Sequence, residues 1–243
     1  MEVKTTLCIP GTWTSREALL AALAGANPEE YIFAGNILLH IPSGEGFEIE
    51  PEEHDPNMQP SFAVAGQGRF TDEALLEIGQ HSFVVYITGK GGDRLQAASI
   101  MRAGLAVLKA GGLAVKVETT GKAFSKEQWQ ILTEANEEEA LYEAFVVLLR
   151  SQEDVIYSCG MHNIGLRDVI CDIDAPMAVA AELADIFNSY QVIEKPVITS
   201  GQTFSTEADG PAYRITAEDC TIYPEDDLFY NPFGMYRLQE VND

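Results

Sequence analysis

The sequence predicts an α+β fold: a mixed or antiparallel sheet covered mainly on one side by helices over about 93–110 and 175–190. Three observations carry this expectation. In the first half, strand-like runs alternate with helical ones across short glycine turns, the order that lays helices on a sheet. From Asp93 to Ala110, Leu95, Ala98, Met101, Leu105 and Leu108 recur at spacings of three and four, as one apolar helix face requires. In the second half, Leu141 to Leu149 and Asp154 to Cys159 flank Ser151-Gln152-Glu153 as a hairpin.

Taken in order, Lys4 to Ile9 reads as a strand ended by Pro10-Gly11. Thr14 or Ser15 caps a helix through Ala24, Glu17 helps to satisfy its free amides, and Gly25 and Pro28 stop it. Tyr31 to Ile41 reads as a second strand. Residues 42–60, rich in Pro, Gly and Glu, read as the longest irregular stretch, with a short alternation at Phe47-Glu-Ile-Glu. Thr71-Asp72 opens a helix through Gly79, and Ser82 to Ile87 has the β-branched and aromatic character of a strand. Gly89-Lys-Gly-Gly then turns the chain into the long helix begun by Asp93. Gly111-Gly112 ends that helix, Leu113 to Val117 is the next strand, and Ser125 starts another helix. Ala175-Pro176 opens a helix to about Tyr190, because proline is tolerated where the first turn has no amide to lose. Tyr213 to Ile215 and Gly234 to Leu238 read as short strands. Nothing resembling a linker or repeat separates the halves. Residues 1–243 therefore read as one unit, the alternative division being two fused subdomains of about 1–135 and 136–243.

Composition narrows the function classes. Apolar residues make up 46%, which argues against disorder. Against 38 acidic side chains stand 15 basic ones, a net charge of −23. A surface this negative repels phosphate backbones and anionic lipid, which disfavours nucleic acid and membrane and leaves two readings: a solubility and habitat effect, or a basic partner, here a basic protein. The N-terminus lacks the features of a signal peptide, and no apolar run is long enough to span a bilayer. Cys8, Cys159, Cys171 and Cys220 are widely spaced, so reduced thiols and a cytoplasmic location are expected.

The stretch from Val155 to Asp168 is where an apolar strand breaks into polar chemistry. Cys159 and His162 there supply a thiol and an imidazole, and Asn163 or Asp168 could orient the imidazole, the parts of a nucleophile–base pair. A buried cysteine at a strand end beside a backbone-bonded histidine is the plainer alternative. Lys116 and Glu118 share a strand face by the period-two rule, and Lys122 follows Gly121 in the turn. These charges could bind a polar ligand or form an ion-pair network. The candidate catalytic residues are thus Cys159, His162, Glu118 and Lys122, and the candidate ligand-binding residues Lys116, Asn163 and Asp168. The histidines are scattered and no Cys-x-x-Cys occurs, so neither a metal site nor a cofactor is expected. Gly89-Lys-Gly-Gly-Asp-Arg matches no phosphate-binding fingerprint and reads as a tight turn with an N-cap. Glu225-Asp-Asp ahead of Leu228-Phe-Tyr-Asn-Pro-Phe-Gly could receive a cation or a basic partner, or form a solvated turn before a packing phenylalanine.

Several of these segments together carry a family resemblance. They are Cys8-Ile-Pro-Gly, His81-Ser-Phe-Val-Val-Tyr, Ala110-Gly-Gly-Leu-Ala-Val-Lys-Val-Glu with Gly121-Lys122-Ala123, Tyr157-Ser-Cys-Gly-Met-His-Asn-Ile-Gly, Gly201-Gln-Thr-Phe-Ser and Asn231-Pro-Phe-Gly. With them the chain resembles a bacterial family known as a domain of unknown function, over nearly its whole length. The resemblance implies a single family-defined unit and transfers no catalytic residue. Acidic domains of this type occur among bacterial immunity proteins, which adds an immunity-type role to the expected class of binding or interaction protein. The alternative class is a small hydrolase or transferase built on Cys159, His162, Glu118 and Lys122.

Overall fold

In the computed structural model, which describes residues 2–151 and 155–241, the chain folds into two β-sheets with helices packed on and between them. The first sheet is built from β1 (Lys4–Gly11), β2 (Tyr31–Ala34), β3 (Ile37–His40), β4 (Glu45–Glu53), β5 (Phe83–Lys90), β6 (Ala114–Val117) and β7 (Lys122–Ser125). Its order is β2-β3-β4-β5-β1-β6-β7, antiparallel throughout, so the first strand lies in the interior of the sheet. The second sheet takes β8 (Val147–Arg150), β9 (Ile156–Cys159), β10 (Asp168–Cys171), β11 (Thr203–Phe204), β12 (Tyr213–Glu218) and β13 (Met235–Glu240). Its order is β11-β12-β13-β10-β9-β8, with β10 and β13 parallel and the other pairs antiparallel. The α+β expectation therefore holds, with mixed and antiparallel pairing as read from the sequence.

The helices are α1 (Arg16–Ala26), α2 (Met58–Gly66), α3 (Asp72–Gly79), α4 (Arg94–Lys109), α5 (Lys126–Ala135), α6 (Glu138–Phe145) and α7 (Met177–Ile193). Their starts follow local chemistry. Ser15, Thr71, Asp93 and Ser125 each accept an amide from the first turn, and Gln128 completes a capping box by accepting the Ser125 amide at 3.0 Å. Gly91 and Gly92 make the tight turn before α4, as expected of a capped turn and unlike a phosphate cradle.

Helix α4 is the hub. It lies against β1, β5 and β6 on one side and against α5 and α6 on the other, so residues 103–108 are buried almost all round. Leu95 departs from the expected apolar stripe and is 83% exposed. The main core joins Leu7, Ile9, Phe47, Ile49, Ile87 and Leu108 of the first half to Phe145, Met161, Ile164 and Val192 of the second. Helix α7 covers one face of the second sheet through Leu183, Ala184 and Phe187. Helices α2 and α3 add a layer on the outer face of the first sheet, where Met58, Phe62 and Ile78 meet Cys8 and Val84.

Three expectations need correction. Tyr31 to Ile41 is a two-strand hairpin, because Gly35 takes φ +65 and reverses the chain. Residues 42–60 are largely regular: β4 buries Phe47 and Ile49 while Glu48, Glu50 and Glu52 face out, and Met58 starts α2. The apolar run from Leu141 is split, with helix to Phe145 and strand from Val147. The hairpin of β8 and β9 is present; Gln152 and Glu153, expected in its turn, and Asp154, expected to open its second strand, lie outside the described residues.

Between β9 and β10 a 3-10 turn, Met161–Ile164, is framed by two glycines with positive φ. At Gly160 (φ +113) a Cβ would lie 1.9 Å from the Phe145 carbonyl oxygen, and at Gly165 (φ +80) 2.3 Å from that of Gly92. Both clashes are with backbone, so no side chain can yield. Gly160→Ala is therefore expected to destabilise the fold by at least about 3 kcal/mol. Urea unfolding followed by circular dichroism checks this, and an unchanged midpoint would show that the turn can re-form elsewhere.

Candidate functional site

The structure places the sequence-derived candidates in three separate settings. Lys116 and Glu118 do share the outer face of the first sheet, their side chains paired at 3.0 Å, and Lys116 also donates to Ser61 at 2.8 Å. Lys122 is on the opposite face, because it pairs in register with Val117 across the β6–β7 turn. There its buried ammonium donates to the carbonyls of Glu143 and Val146 at the end of α6, faces Glu143 Oε1 at 3.2 Å and lies over the Phe124 ring. Burial pulls its pKa down, while the Glu143 carboxylate pulls it back up. Lysine here satisfies the free carbonyls of a helix C-terminus, which the negative end of the helix dipole favours.

Cys159 closes β9 and faces the side of the second sheet away from α7. It is 1% exposed, among Val147, Tyr157, Ile170 and Met235, beneath the β12–β13 connection that brings Cys220, Tyr223 and Phe229. Burial, followed by the Asp168 carboxylate, pushes its thiol well above the ordinary range. A thiolate is the reactive form of cysteine, so this environment holds the sulfur as an inert small hydrophobe. His162 is also buried at 2% exposure, and neither ring nitrogen has a hydrogen-bond partner. No Cys159–imidazole bond exists, so the two lack the contact on which a nucleophile–base pair depends. Glu118 and Lys122, on opposite faces of another sheet, do not join them. The catalytic quartet expected from the sequence is thus not assembled.

Asn163 and Asp168 are fully engaged with the protein itself. The Asn163 Oδ1 accepts from Thr5 at 2.8 Å and Thr119 at 2.9 Å, and its Nδ2 donates to the Gly160 carbonyl at 2.9 Å. Its backbone carbonyl accepts the Gly92 amide. Asp168 is enclosed in the second sheet. Its Oδ1 accepts from the Ser158 hydroxyl at 2.9 Å and the Met161 amide at 3.2 Å, and its Oδ2 from Asn231 Nδ2 at 2.7 Å. Burial pushes this carboxyl up to about 7, with the Asn231 and Ser158 bonds acting in the opposite direction. Neither residue offers free bonding capacity to a ligand, so the ligand-binding role expected of them gives way to a structural one. Among the described residues, no group of three His, Cys, Asp or Glu side chains is placed to hold a metal ion.

The feature sequence reasoning underrated is an open cavity of about 510 Å³. Three distant segments build it: the start of β1 with Glu2 and Lys4, the 3-10 turn with His162, and the β12–β13 connection with Glu225, Asp226 and Asp227. The acidic run was visible in the sequence, whereas its meeting with His162 depends on tertiary folding. The chain matches no family model, no curated protein and no solved structure, so function rests on this geometry.

Two outcomes test these assignments. Cys159 is expected to resist an aromatic disulfide reagent in the native state and to react only after unfolding, with the partly exposed Cys220 reacting first. Mass mapping of the labelled thiols checks this; rapid native labelling of Cys159 that slows in His162→Ala would restore the nucleophile. For Asp168, the folded state holds a proton up to about pH 7 that the unfolded chain releases near pH 4. Its contribution is therefore complete below about pH 4 and is lost as pH rises toward 7. In urea unfolding, the wild type is expected to lose ground to Asp168→Asn across that window. A constant difference would mean that the carboxyl is ionised throughout.

Proposed function

We propose that this is an interaction protein that receives a basic protein partner on the uncovered part of its first sheet. One observation carries the reading. The outer face of that sheet, where α2 and α3 do not reach, sets exposed glutamates beside exposed apolar side chains. Along β4, Glu48, Glu50 and Glu52 point outward in alternation with buried Phe47 and Ile49. In register beside Glu48 are Ile37, 41% exposed, and Thr88, which pairs with Thr6. Ile32 on edge strand β2 is 50% exposed. Carboxylates steer and orient a cationic surface, and the isoleucines supply the apolar anchor that such contacts need for residence.

The rest of the surface supports the same partner chemistry. Several basic side chains are already engaged, among them Arg69 with Glu143, Lys116 with Glu118, and Arg237 with Asp172 and Glu218. The net charge of −23 is therefore a surplus of free carboxylates. Among the described residues no helix is long and apolar enough to cross a membrane, and the charge disfavours anionic surfaces. An immunity-type role, masking the basic working surface of another protein, is the narrower form of this proposal. The hydrolase or transferase alternative loses its support with the burial of Cys159 and its lack of a base.

Co-purification with the products of adjacent genes at low ionic strength tests the proposal. A basic partner is expected, with affinity falling steeply as salt shortens the Debye length from about 10 Å at 0.1 M toward about 3 Å at 1 M. The double charge reversal Glu48→Lys with Glu50→Lys is expected to slow association by about tenfold or more while leaving the folded spectrum intact. Failure to capture any partner at low salt, or a complex indifferent to the reversal, would overturn the reading.

A further inference from the structure

Four arginines are partly buried among the described residues, and three of them face carboxylates. Arg69 meets Glu143 at 3.3 Å, Arg94 meets Glu138, and Arg237 meets Glu218 at 2.8 Å and Asp172 at 3.2 Å. Arg167 is the exception in a chain with 38 acidic side chains: it makes no ion pair among the described residues. Its guanidinium lies over the Tyr236 ring, 5.5 Å from the centroid, and Nη1 donates to the Glu218 carbonyl at 3.0 Å. The Glu218 carboxylate does not neutralise it, because both oxygens go to Arg237. The Nε and Nη2 of Arg167 have no partner among the described residues, yet neither is sealed from solvent. These two groups form one edge of the guanidinium, the edge that grips a carboxylate with two parallel hydrogen bonds.

Arg167 and Tyr236 both line an open cavity of about 520 Å³ between the end of α7 and the segments leading into β10 and β13. No Asp or Glu side chain lines it, whereas four other cavities each include at least one. Lys195, half exposed, adds a second cation to the lining. Its ammonium pairs with Glu138 at 3.0 Å, a carboxylate already held by Arg94, so one negative charge serves two cations. Buried Gln191 donates to the Arg167 carbonyl at 3.3 Å and holds that residue to α7. Ile198 and Phe233 supply an apolar wall beside the tyrosine. The net charge of −23 repels extended anionic surfaces. At contact range, paired hydrogen bonds to one guanidinium outweigh a field that 0.1 M salt screens beyond about 10 Å.

We propose that this cavity binds an organic acid by its carboxylate. Nε and Nη2 of Arg167 donate the two hydrogen bonds, the Lys195 ammonium stands beside them, and an apolar body rests against Phe233 and Ile198. A free small acid and the C-terminus of a peptide share this chemistry. An inorganic oxyanion would meet the fork but leave the wall unused, and an amide would bring no charge to it. The site belongs to the second sheet, apart from Glu48 and Glu50 on the first, so it and the basic-partner reading can each fail without the other.

The Arg167 Nε–H signal in 1H–15N spectra of the whole protein, assigned by its loss in Arg167→Lys, reads the fork directly. Phenylacetate is the probe, with phenylacetamide, acetate and inorganic phosphate as controls. A saturable shift of that signal with phenylacetate is expected, each control binding at least about tenfold more weakly. Arg167→Lys, checked for folding by circular dichroism, keeps the charge but loses the fork, and should weaken phenylacetate about tenfold in calorimetry. Lys195→Gln, at a half-exposed position, should weaken it about threefold. Acetyl-glycyl-phenylalanine set against phenylacetate separates the two sources, the tighter naming the one the site prefers. Lack of saturation, an amide or phosphate bound as tightly as phenylacetate, or affinity unchanged in both variants would sink the site. Arg167 would then be a structural cation resting on Tyr236.

Discussion

The carboxamide of Asn163 is the contact on which the arrangement of the two sheets depends. One side chain takes hydroxyls from β1 and from the β6–β7 turn, and returns its own donors to the loop that presents it. Thr5 and Thr119 belong to the first sheet, whereas Asn163 sits between two strands of the second. All three are buried, so none of these groups can be compensated by solvent, and any slippage between sheets would strand several polar atoms at once. Apolar packing between the halves is extensive but tolerant of small shifts. A fully satisfied amide is not, and it sets the register that the core alone would leave loose.

The surrounding loop is built to deliver that amide. Gly160 and Gly165 allow approaches to Phe145 and Gly92 that no other residue permits, and Asp168 gathers Ser158, Met161 and Asn231 beneath the turn. Such a density of polar and glycine residues at a strand end resembles an active site when read along the chain. In space it is a joint. The same constraint accounts for His162: a turn fixed on both sides by Asn163 and Asp168 holds the intervening imidazole in place without bonding its nitrogens.

How much of this was legible follows from the range of the forces involved. Helix starts at Ser15, Thr71, Asp93 and Ser125 were readable because a cap is a contact within four residues. The pairing of Lys116 with Glu118 was readable for a similar reason, since alternation along a strand is local. Lys122 was not, because a turn centred on Thr119-Thr120-Gly121 decides which face the returning strand presents. Strand β4 was obscured by its own glutamates, whose exposure is compensated by the burial of Phe47 and Ile49. From Ala144 to Leu149 the run is apolar throughout, spanning the end of a helix and the start of a strand, which erases the periodicity that would tell them apart. The partners of Asn163 and the setting of His162 lie at the far end of the sequence distance, and nothing near either residue announces them.

The strand order has a bearing on how the chain reaches this state. β1 is made early, yet it pairs only with β5 and β6, so Leu7 must await Ile87 and Val117. The second sheet closes later still, because β13 is inserted between β10 and β12 and brings Leu238 into the core beneath α7. Until that last strand arrives, β10 has an open edge and Val169 and Phe187 lack part of their cover. Contacts so distant along the chain carry a large loop-closure cost and slow the search for the native state. During synthesis, the nascent chain therefore passes through a stage with the parallel edge of β10 unpaired, when a chaperone would be of use to it.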